Sequence, residues 1–329
     1  RSSDTTILKM HLKLVILMRY FDLHCDTITE ICRKKTELSD YSGHLSIEKT
    51  KGIRLWRQCF AIFIPDDQRG DAAISYYERH YHYFKKQMMV NSDEISWQRS
   101  LSEITGDQTA TKAAILTVEG GCVLDGDLNR VQQLSEDGVR MITLTWNGEN
   151  ELGCGISSNK GLTPFGLQAV QEMEQQDIVV DVSHLSDAGL DDVINCTTRP
   201  FMASHSSSRA LCEHPRNLTD IQFGALAKKR CLVGINFSRG FLNRDSQKAS
   251  YRDMIKHIDH FLGLGGEDVV ALGSDFDGTD MPADFPDITA IPRLYEEMLR
   301  LGYPEKLVDK IFYQNAADFF VRYEQSKKQ

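Results

Sequence analysis

Residues 178–205 read IVVDVSHLSDAGLDDVINCTTRPFMASH and contain the pattern that decides the fold. A run of β-branched apolar residues leads to a histidine, Ser186 then precedes a helix-forming segment, and a second apolar run leads to another histidine. Nearly continuous apolar runs of this kind are typical of parallel strands that are covered on both faces. The segment therefore predicts a strand, a helix and a second strand parallel to the first.

The same alternation extends along the chain in both directions. Thr163 with Pro164, and Thr219, mark the starts of two more helices between apolar runs. Eight strands alternating with helices predict an α/β fold, a (β/α)8 TIM barrel of the metal-dependent hydrolase type, with a C-terminal helical extension from about Pro292. The predicted strands are residues 20–26, 55–64, 113–119, 139–145, 178–184, 200–205, 231–237 and 269–275.

Length and composition agree with one large domain. The chain has 329 residues, of which 41% are hydrophobic and 26% are charged, as in folded globular proteins. The 38 lysines and arginines against 47 acidic residues give a net charge of −9 without any basic run. This charge excludes nucleic acid and anionic membranes as expected partners.

The first residues are treated separately from the barrel. The apolar run at residues 14–18 is too short for a signal-peptide core or a membrane span, and Met10 and Met18 are both candidate native starts. We therefore expect an N-terminal extension at residues 1–17, whose native status is left open, and a single barrel domain at residues 18–329. The eight cysteines contain no C-x-x-C pair, which favours free thiols in a reducing cytoplasm.

Potential metal ligands recur at the carboxyl ends of the predicted strands. In a TIM barrel these ends converge on one face, which is where active sites are built. Residues two apart on a strand point the same way, so the histidine and aspartate of an H-x-D pair can hold one cation. The residues concerned are His24, Asp26, Glu119, His184, His205 and Asp275.

These residue types fit a pair of divalent cations. Three histidines and two carboxylates provide enough donors for two ions with an open position. A carboxylate such as Glu119, buried at the end of an apolar strand, needs a cation or a cage of hydrogen bonds. The alternatives are structural: a buried histidine paired with a neighbouring carboxylate, or Glu119 as a helix cap.

Two further residues are predicted to handle the substrate. Asp275, in LGSDFDG, is placed to act as a general acid and base, whereas Asp277 is interpreted as a turn or cap residue. Arg216, in EHPRNLTD, follows the sixth strand, and its planar guanidinium suits a substrate carboxylate. A surface salt bridge is the alternative role for Arg216.

Six ordered motifs, DLHCDT, TVEGG, DVSHLS, ASHSSSRALCEHPRNLTD, VGINF and LGSDFDG, resemble those of the membrane (renal) dipeptidase family, peptidase family M19, in its bacterial branch within the amidohydrolase superfamily. The resemblance covers roughly residues 20–320. It implies two zinc ions, with His24 and Asp26 on one, His184 and His205 on the other, and Glu119 bridging them. It further implies that Arg216 binds the C-terminal carboxylate of the substrate, that Asp275 handles the proton, and that the protein is a homodimer.

The chain departs from the renal-type pattern after the fourth strand. Those members have a histidine there that contacts the scissile carbonyl oxygen, whereas this chain reads ITLTWNGENELG and offers Trp146. We expect Trp146 to be a substrate-binding residue on the pocket wall. The group that stabilises the oxyanion is left open, as is the alternative that Trp146 packs under the loop at residues 147–155.

The favoured function is that of a zinc-dependent, cytoplasmic dipeptidase acting through a metal-bridging hydroxide, with small dipeptides, L-L and also L-D, as candidate substrates. One alternative is another binuclear hydrolase of the superfamily that opens lactones or cyclic amides. Many of those enzymes use a carboxylated lysine on the fourth strand, which VRMITLTWN lacks. The other alternative is a non-catalytic scaffold, which the complete set of candidate ligands argues against.

Overall fold

Eight parallel strands close into a barrel in the computed structural model of the chain, which describes residues 18–106 and 110–327. The strand β1 (Arg19–Cys25) pairs with both β2 (Leu55–Phe63) and β9 (Val270–Gly273), and β2 pairs with β4 (Lys112–Glu119), which closes the ring. The (β/α)8 prediction is confirmed, while the proposed extension at residues 1–17 lies outside the described residues. The strands are β1 Arg19–Cys25, β2 Leu55–Phe63, β3 Ser96–Trp97, β4 Lys112–Glu119, β5 Val139–Thr143, β6 Val179–Asp181, β7 Met202–Ala203, β8 Leu232–Asn236 and β9 Val270–Gly273.

Two details differ from the predicted strands. The short strand β3 was not predicted, and it pairs with β4 outside the ring. Strands β6, β7 and β9 end two or three residues before His184, His205 and Asp275, which the sequence placed at the strand ends. The reason is that buried carboxylates bind the next backbone N–H groups: Ser183 and Ser204 donate to Asp181, and Ser274 donates to Asp22, so these residues do not continue the sheet.

Helices cover the outside of the barrel. The side chains of Thr163, Ser186 and Thr219 cap three of them by accepting hydrogen bonds from backbone N–H groups in the first turn, as predicted. The α-helices are α1 Thr27–Lys34, α2 Asp71–Val90, α3 Leu101–Gly106, α4 Asn129–Asp137, α5 Pro164–Gln175, α6 Asp187–Cys196, α7 Asp220–Lys228, α8 Arg239–Leu242, α9 Tyr251–Gly263, α10 Ile291–Arg300, α11 Glu305–Asp309 and α12 Asn315–Ser326.

The C-terminal helix α12 closes the barrel at the amino ends of its strands. Phe320 is buried and stacks on Phe21 of β1 with 5.7 Å between ring centroids. The Tyr323 hydroxyl donates to the carbonyl of Ile178, just before β6, and Arg199 lies 3.7 Å from the Tyr323 ring centroid. Aromatic side chains close the barrel at the amino ends of its strands, so the barrel is open at the carboxyl ends.

Within residues 18–106 and 110–327, no helix combines the length and the apolar character needed to cross a bilayer.

Candidate metal centre and active site

The six candidate ligands meet at the open end of the barrel. All of them are buried, although they follow five different strands. Donor atoms of His24, Glu119 and His205 lie within 4.8 Å of one another, and so do those of His24, Asp26 and Asp275. The structure therefore brings together five of the residues that the sequence singled out, in two groups that share His24, and the sixth, His184, joins them through Glu119 and His205.

Glu119 occupies the centre of this cluster. Its Oε1 atom is 2.9 Å from His184 Nε2 and 3.4 Å from His205 Nε2, while its Oε2 atom is 3.7 Å from His24 Nε2. On the far side, His24 Nε2 is 3.4 Å from Asp26 Oδ2. One carboxylate oxygen thus faces a pair of histidines and the other faces the H-x-D pair.

Several polar atoms of the cluster are buried without a satisfactory hydrogen bond. They include His24 Nε2, Asp26 Oδ1 and Glu119 Oε1, the last despite the short distance to His184. Buried polar atoms are nearly always paired, so unpaired atoms that converge on one point indicate a missing partner. Imidazole nitrogens with carboxylate oxygens form a donor set suited to zinc and similar divalent cations, and the residues present therefore fit such a group.

Burial and neighbouring charges shift the pKa values of the residues in this cluster. Burial lowers the pKa of His184 and of His205 well below the ordinary value, which keeps both imidazoles neutral, as ligation requires. Burial alone would also lower the pKa of His24, but the carboxylates of Glu119 and Asp26 raise it to about 10. Burial raises the pKa of Glu119. Burial therefore disfavours the ionised form of Glu119, and a bound cation would favour it.

Two buried aspartates, which the sequence analysis did not identify, hold candidate ligands in place through hydrogen bonds to serines. Asp181 accepts a hydrogen bond of 2.6 Å from Ser204 Oγ, which in turn lies 2.7 Å from His205 Nδ1. Asp22 holds Ser274, the neighbour of Asp275, through bonds of 2.8 Å from its N–H and 2.6 Å from its hydroxyl. The available signal was an acidic residue inside an otherwise apolar strand, two or three positions before a histidine.

The backbone is strained at two of the candidate residues. His184 has a φ of 69° and Asp275 a φ of 62°, in the left-handed region that residues other than glycine rarely adopt. Such conformations persist where the surrounding structure holds them, and they cluster at functional sites. Here they carry the two side chains from the ends of short strands into the cluster.

A cavity of about 520 Å³ opens beside the cluster, and Arg216 is one of the residues that line it. The Arg216 side chain is only 4% exposed, and one terminal nitrogen donates to the carbonyl of His205 at 3.2 Å. Its Nε atom has no partner, and the guanidinium forms no ion pair with a carboxylate in the described part of the chain. The alternative of a surface salt bridge is therefore wrong, and a buried cation faces the cavity.

Asp275 and Asp277 have different surroundings, as the sequence indicated. Asp275 Oδ1 is 3.9 Å from His24 Nε2 and Oδ2 accepts a 3.0 Å bond from Asn236, while burial raises the Asp275 pKa to about 7. Asp277 accepts hydrogen bonds from the Thr27 hydroxyl and the His44 N–H, at 2.6 and 2.7 Å. Asp277 therefore links its own loop to the first residue of α1 and to the loop that contains His44, whereas Asp275 faces the candidate ligands.

Trp146 lies on the wall of the cavity. Its ring is 5.0 Å from that of Phe63 and 6.2 Å from that of His184, between centroids, and it is partly exposed. It is therefore not packed wholly beneath the loop that follows. The next residue, Asn147, also lines the cavity, and its Oδ1 atom is 2.9 Å from His184 Nδ1. Sequence reasoning did not single out Asn147.

A protein family and several solved structures match this chain over most of its length. The family model described as membrane dipeptidase (peptidase family M19) matches residues 9–329. Two solved structures are 26% identical and superpose with a TM-score of 0.87 over 93% of this chain: dipeptidase AC, a metallopeptidase of family M19, matched over 98% of its length, and a metallopeptidase from Rhodobacter sphaeroides bound to a phosphinate mimic of the dipeptide L-Ala-D-Ala, matched over 99%. An uncharacterised Klebsiella pneumoniae protein from the pqqA 5′ region is 34% identical over 214 residues, which are 62% of this chain and 79% of that protein.

Proposed function

Since this chain belongs to the membrane dipeptidase family, peptidase family M19, and is by that membership a metallo-dipeptidase, we propose that it hydrolyses dipeptides at a site for two zinc ions. The observation that carries the proposal is the set of unpaired buried donors that converge on Glu119. A closed single-zinc site needs four ligands, and this cluster offers five besides Asp275.

Each candidate ligand has a place in this proposal. His24 and Asp26 would hold one ion and His184 and His205 the other, while Glu119, whose two oxygens face the two groups separately, would serve both. When bound, the ions polarise the scissile carbonyl and lower the pKa of the attacking water. The arrangement of Ser204 and Asp181 behind His205 keeps the ring oriented, as such outer contacts commonly do.

Arg216 is proposed to bind the carboxylate at the C-terminus of the dipeptide. The guanidinium is desolvated and forms no direct ion pair among the described residues, although the carboxylates of Asp275, Glu119 and Asp181 act on it from a greater distance. Binding a substrate carboxylate would supply a direct ion pair and an acceptor for Nε. This contact would also align the scissile bond with the ligand cluster.

Asp275 is proposed to move the proton. It faces the cavity beside His24, and the Asn236 amide holds one of its oxygens while the other points to the cluster. From this position its carboxylate can accept a proton from the attacking water and deliver it to the leaving amine. Trp146 and Phe63 would form the apolar wall against which a substrate side chain packs.

A panel of substrates tests the proposed function. The purified protein, loaded with zinc, is assayed against L-L and L-D dipeptides, matching C-terminal amides and a lactone, with Glu119→Gln as the matched control. We expect hydrolysis of free dipeptides and no activity in the control. Hydrolysis of the lactone alone would reject the proposal in favour of another hydrolase of the superfamily.

We also propose, from the cysteine pattern and the family resemblance, that the protein is a cytoplasmic homodimer. Light scattering of the purified protein tests the dimer, since a single species with the mass of one chain would reject it. Fractionation of cells that produce the protein tests the compartment.

A further inference from the structure

Asn147 is placed to act on both a ligand and the substrate. It follows Trp146 on the loop after β5 and lines the cavity, and its Oδ1 atom is 2.9 Å from His184 Nδ1. His184 Nε2 faces Glu119 and His205 at 2.9 and 3.1 Å. A histidine that binds a cation through Nε2 carries its proton on Nδ1, so His184 donates to the Asn147 oxygen.

This hydrogen bond fixes the orientation of the carboxamide by its chemistry. Because the oxygen must face His184, the NH2 group is turned to the other side of the amide plane. It donates no hydrogen bond to any residue within 18–106 or 110–327. An amide donor is thus left free on a residue of the cavity wall.

The backbone of Asn147 is held in place by the loop that follows. Its carbonyl accepts a 2.9 Å bond from Ser157, and the Gly155 N–H donates to Gly148 at 2.8 Å. A Cβ atom at Gly155 would lie 2.0 Å from the Trp146 carbonyl oxygen, so only glycine allows the loop to approach this closely. The amide is therefore preorganised and does not depend on a mobile segment.

Several other uncharged hydrogen-bond donors that line the cavity already have partners within the protein. The hydroxyls of Thr29 and Thr279 are engaged with the Ala61 carbonyl and the Ser238 hydroxyl. The indole N–H of Trp146 donates to no described residue, but the ring packs edge-on against Phe63. A preorganised N–H beside a reacting carbonyl stabilises the negative charge that develops on its oxygen.

We propose that Asn147 is a catalytic residue whose NH2 group donates to the carbonyl oxygen of the scissile bond as that oxygen gains charge, while its own oxygen positions His184. The proposal rests on the proposed dipeptidase function. It assigns to Asn147 the stabilisation of the oxyanion that the sequence left open at Trp146.

Two substitutions separate the roles. Asn147→Asp keeps an acceptor for His184 but removes the NH2 donor, whereas Asn147→Ala removes both. We expect zinc affinity, measured by chelator competition, to stay within a few-fold of the unmutated protein in Asn147→Asp and to fall about 10- to 100-fold in Asn147→Ala. Glu149→Gln, an exposed residue of the same loop paired with Lys160, is the control and should change neither quantity.

Kinetics at saturating zinc test the donor. Asn147→Asp, which keeps the acceptor for His184, and Asn147→Ala should both lower kcat about 100-fold with little change in KM, because the bond from the NH2 group strengthens only as charge develops. The inhibition constant of a phosphinate dipeptide mimic should rise in parallel with the loss in kcat/KM, since its tetrahedral group carries the corresponding oxygen. Melting temperatures and zinc content verify that each variant is folded and loaded.

Each remaining result has a definite meaning. An unchanged kcat in zinc-loaded Asn147→Ala would overturn the donor role but not the positioning role. The donor role would also be overturned if kcat fell about 100-fold in Trp146→Phe and stayed unchanged in both Asn147 variants. Unchanged zinc affinity in Asn147→Ala would overturn the positioning of His184. If the unmutated protein hydrolysed no dipeptide, the proposed function would fail and the donor role with it, while the zinc measurements would still decide the positioning role.

Discussion

Replacing Arg216 by methionine should abolish the selectivity of the enzyme for a free C-terminal carboxylate. Arg216 is 4% exposed and forms no direct ion pair in the described chain, so its interaction with a substrate carboxylate is desolvated and has to displace no internal salt bridge. Truncating one partner of such a pair costs roughly 2 to 5 kcal/mol. The near-complete burial and the unpaired Nε place Arg216 in the upper half of this range, at about 4 kcal/mol, or roughly 10³-fold in kcat/KM.

The measurement compares two proteins with two substrates. The kcat/KM values of the unmutated enzyme and of Arg216→Met are determined for one dipeptide and for its C-terminal amide. We expect the loss of about 10³-fold for the acid and a change of less than about tenfold for the amide, which offers no charge to bind. Methionine fills much of the space without a charge to desolvate, so zinc content and melting temperature should be kept. An equal loss for acid and amide would refute the assignment of Arg216 to the carboxylate.

Four further outcomes follow from the site and from the barrel. Glu119→Gln should bind fewer than two zinc ions per chain by elemental analysis, because a neutral amide does not bridge two cations as a carboxylate does; full stoichiometry would reject the bridge. Asp275→Asn should keep both ions while kcat falls by about two to four orders of magnitude, and unchanged turnover would reject its proton-transfer role. Trp146→Ala should alter the ranking of dipeptides by side-chain size more than the best kcat; a uniform loss with a lower melting temperature would indicate a purely structural ring. Phe320→Ala should lower the free energy of unfolding, measured with denaturant, by about 3 to 5 kcal/mol, because it empties the aromatic plug against Phe21; a change below about 1 kcal/mol would contradict that packing.

Much of the fold could be predicted because its signals are local. The apolar run before His184, the cap at Ser186 and the run before His205 each depend on a few neighbouring residues, and the barrel follows from repeating them. The exact strand ends could not be predicted in the same way. They depend on Asp181, whose side chain draws the N–H groups of Ser183 and Ser204 away from the sheet.

Part of the candidate site could also be predicted from local sequence, and part could not. Alternation along β1 was enough to place His24 and Asp26 on one side, and Cys25 on the other, among the core residues between barrel and helices. The hydrogen bond between Asn147 and His184 was not predictable, since it joins loops that follow different strands. Asn147 has no sequence signal beyond standing next to Trp146.

The sequence by itself determined the order of strands and helices, and it determined which chemical groups stand where each strand ends. Tertiary structure decided how those groups face one another: that the two oxygens of Glu119 point to different histidines, that His184 and Asp275 adopt left-handed backbone conformations, and that Arg216 is buried among described residues without a direct ion pair. The physical reason is the sequence separation over which each kind of interaction acts. Periodicity and capping act over a few residues, whereas desolvation and the meeting of donors require the closed barrel, which brings distant parts of the chain to one end.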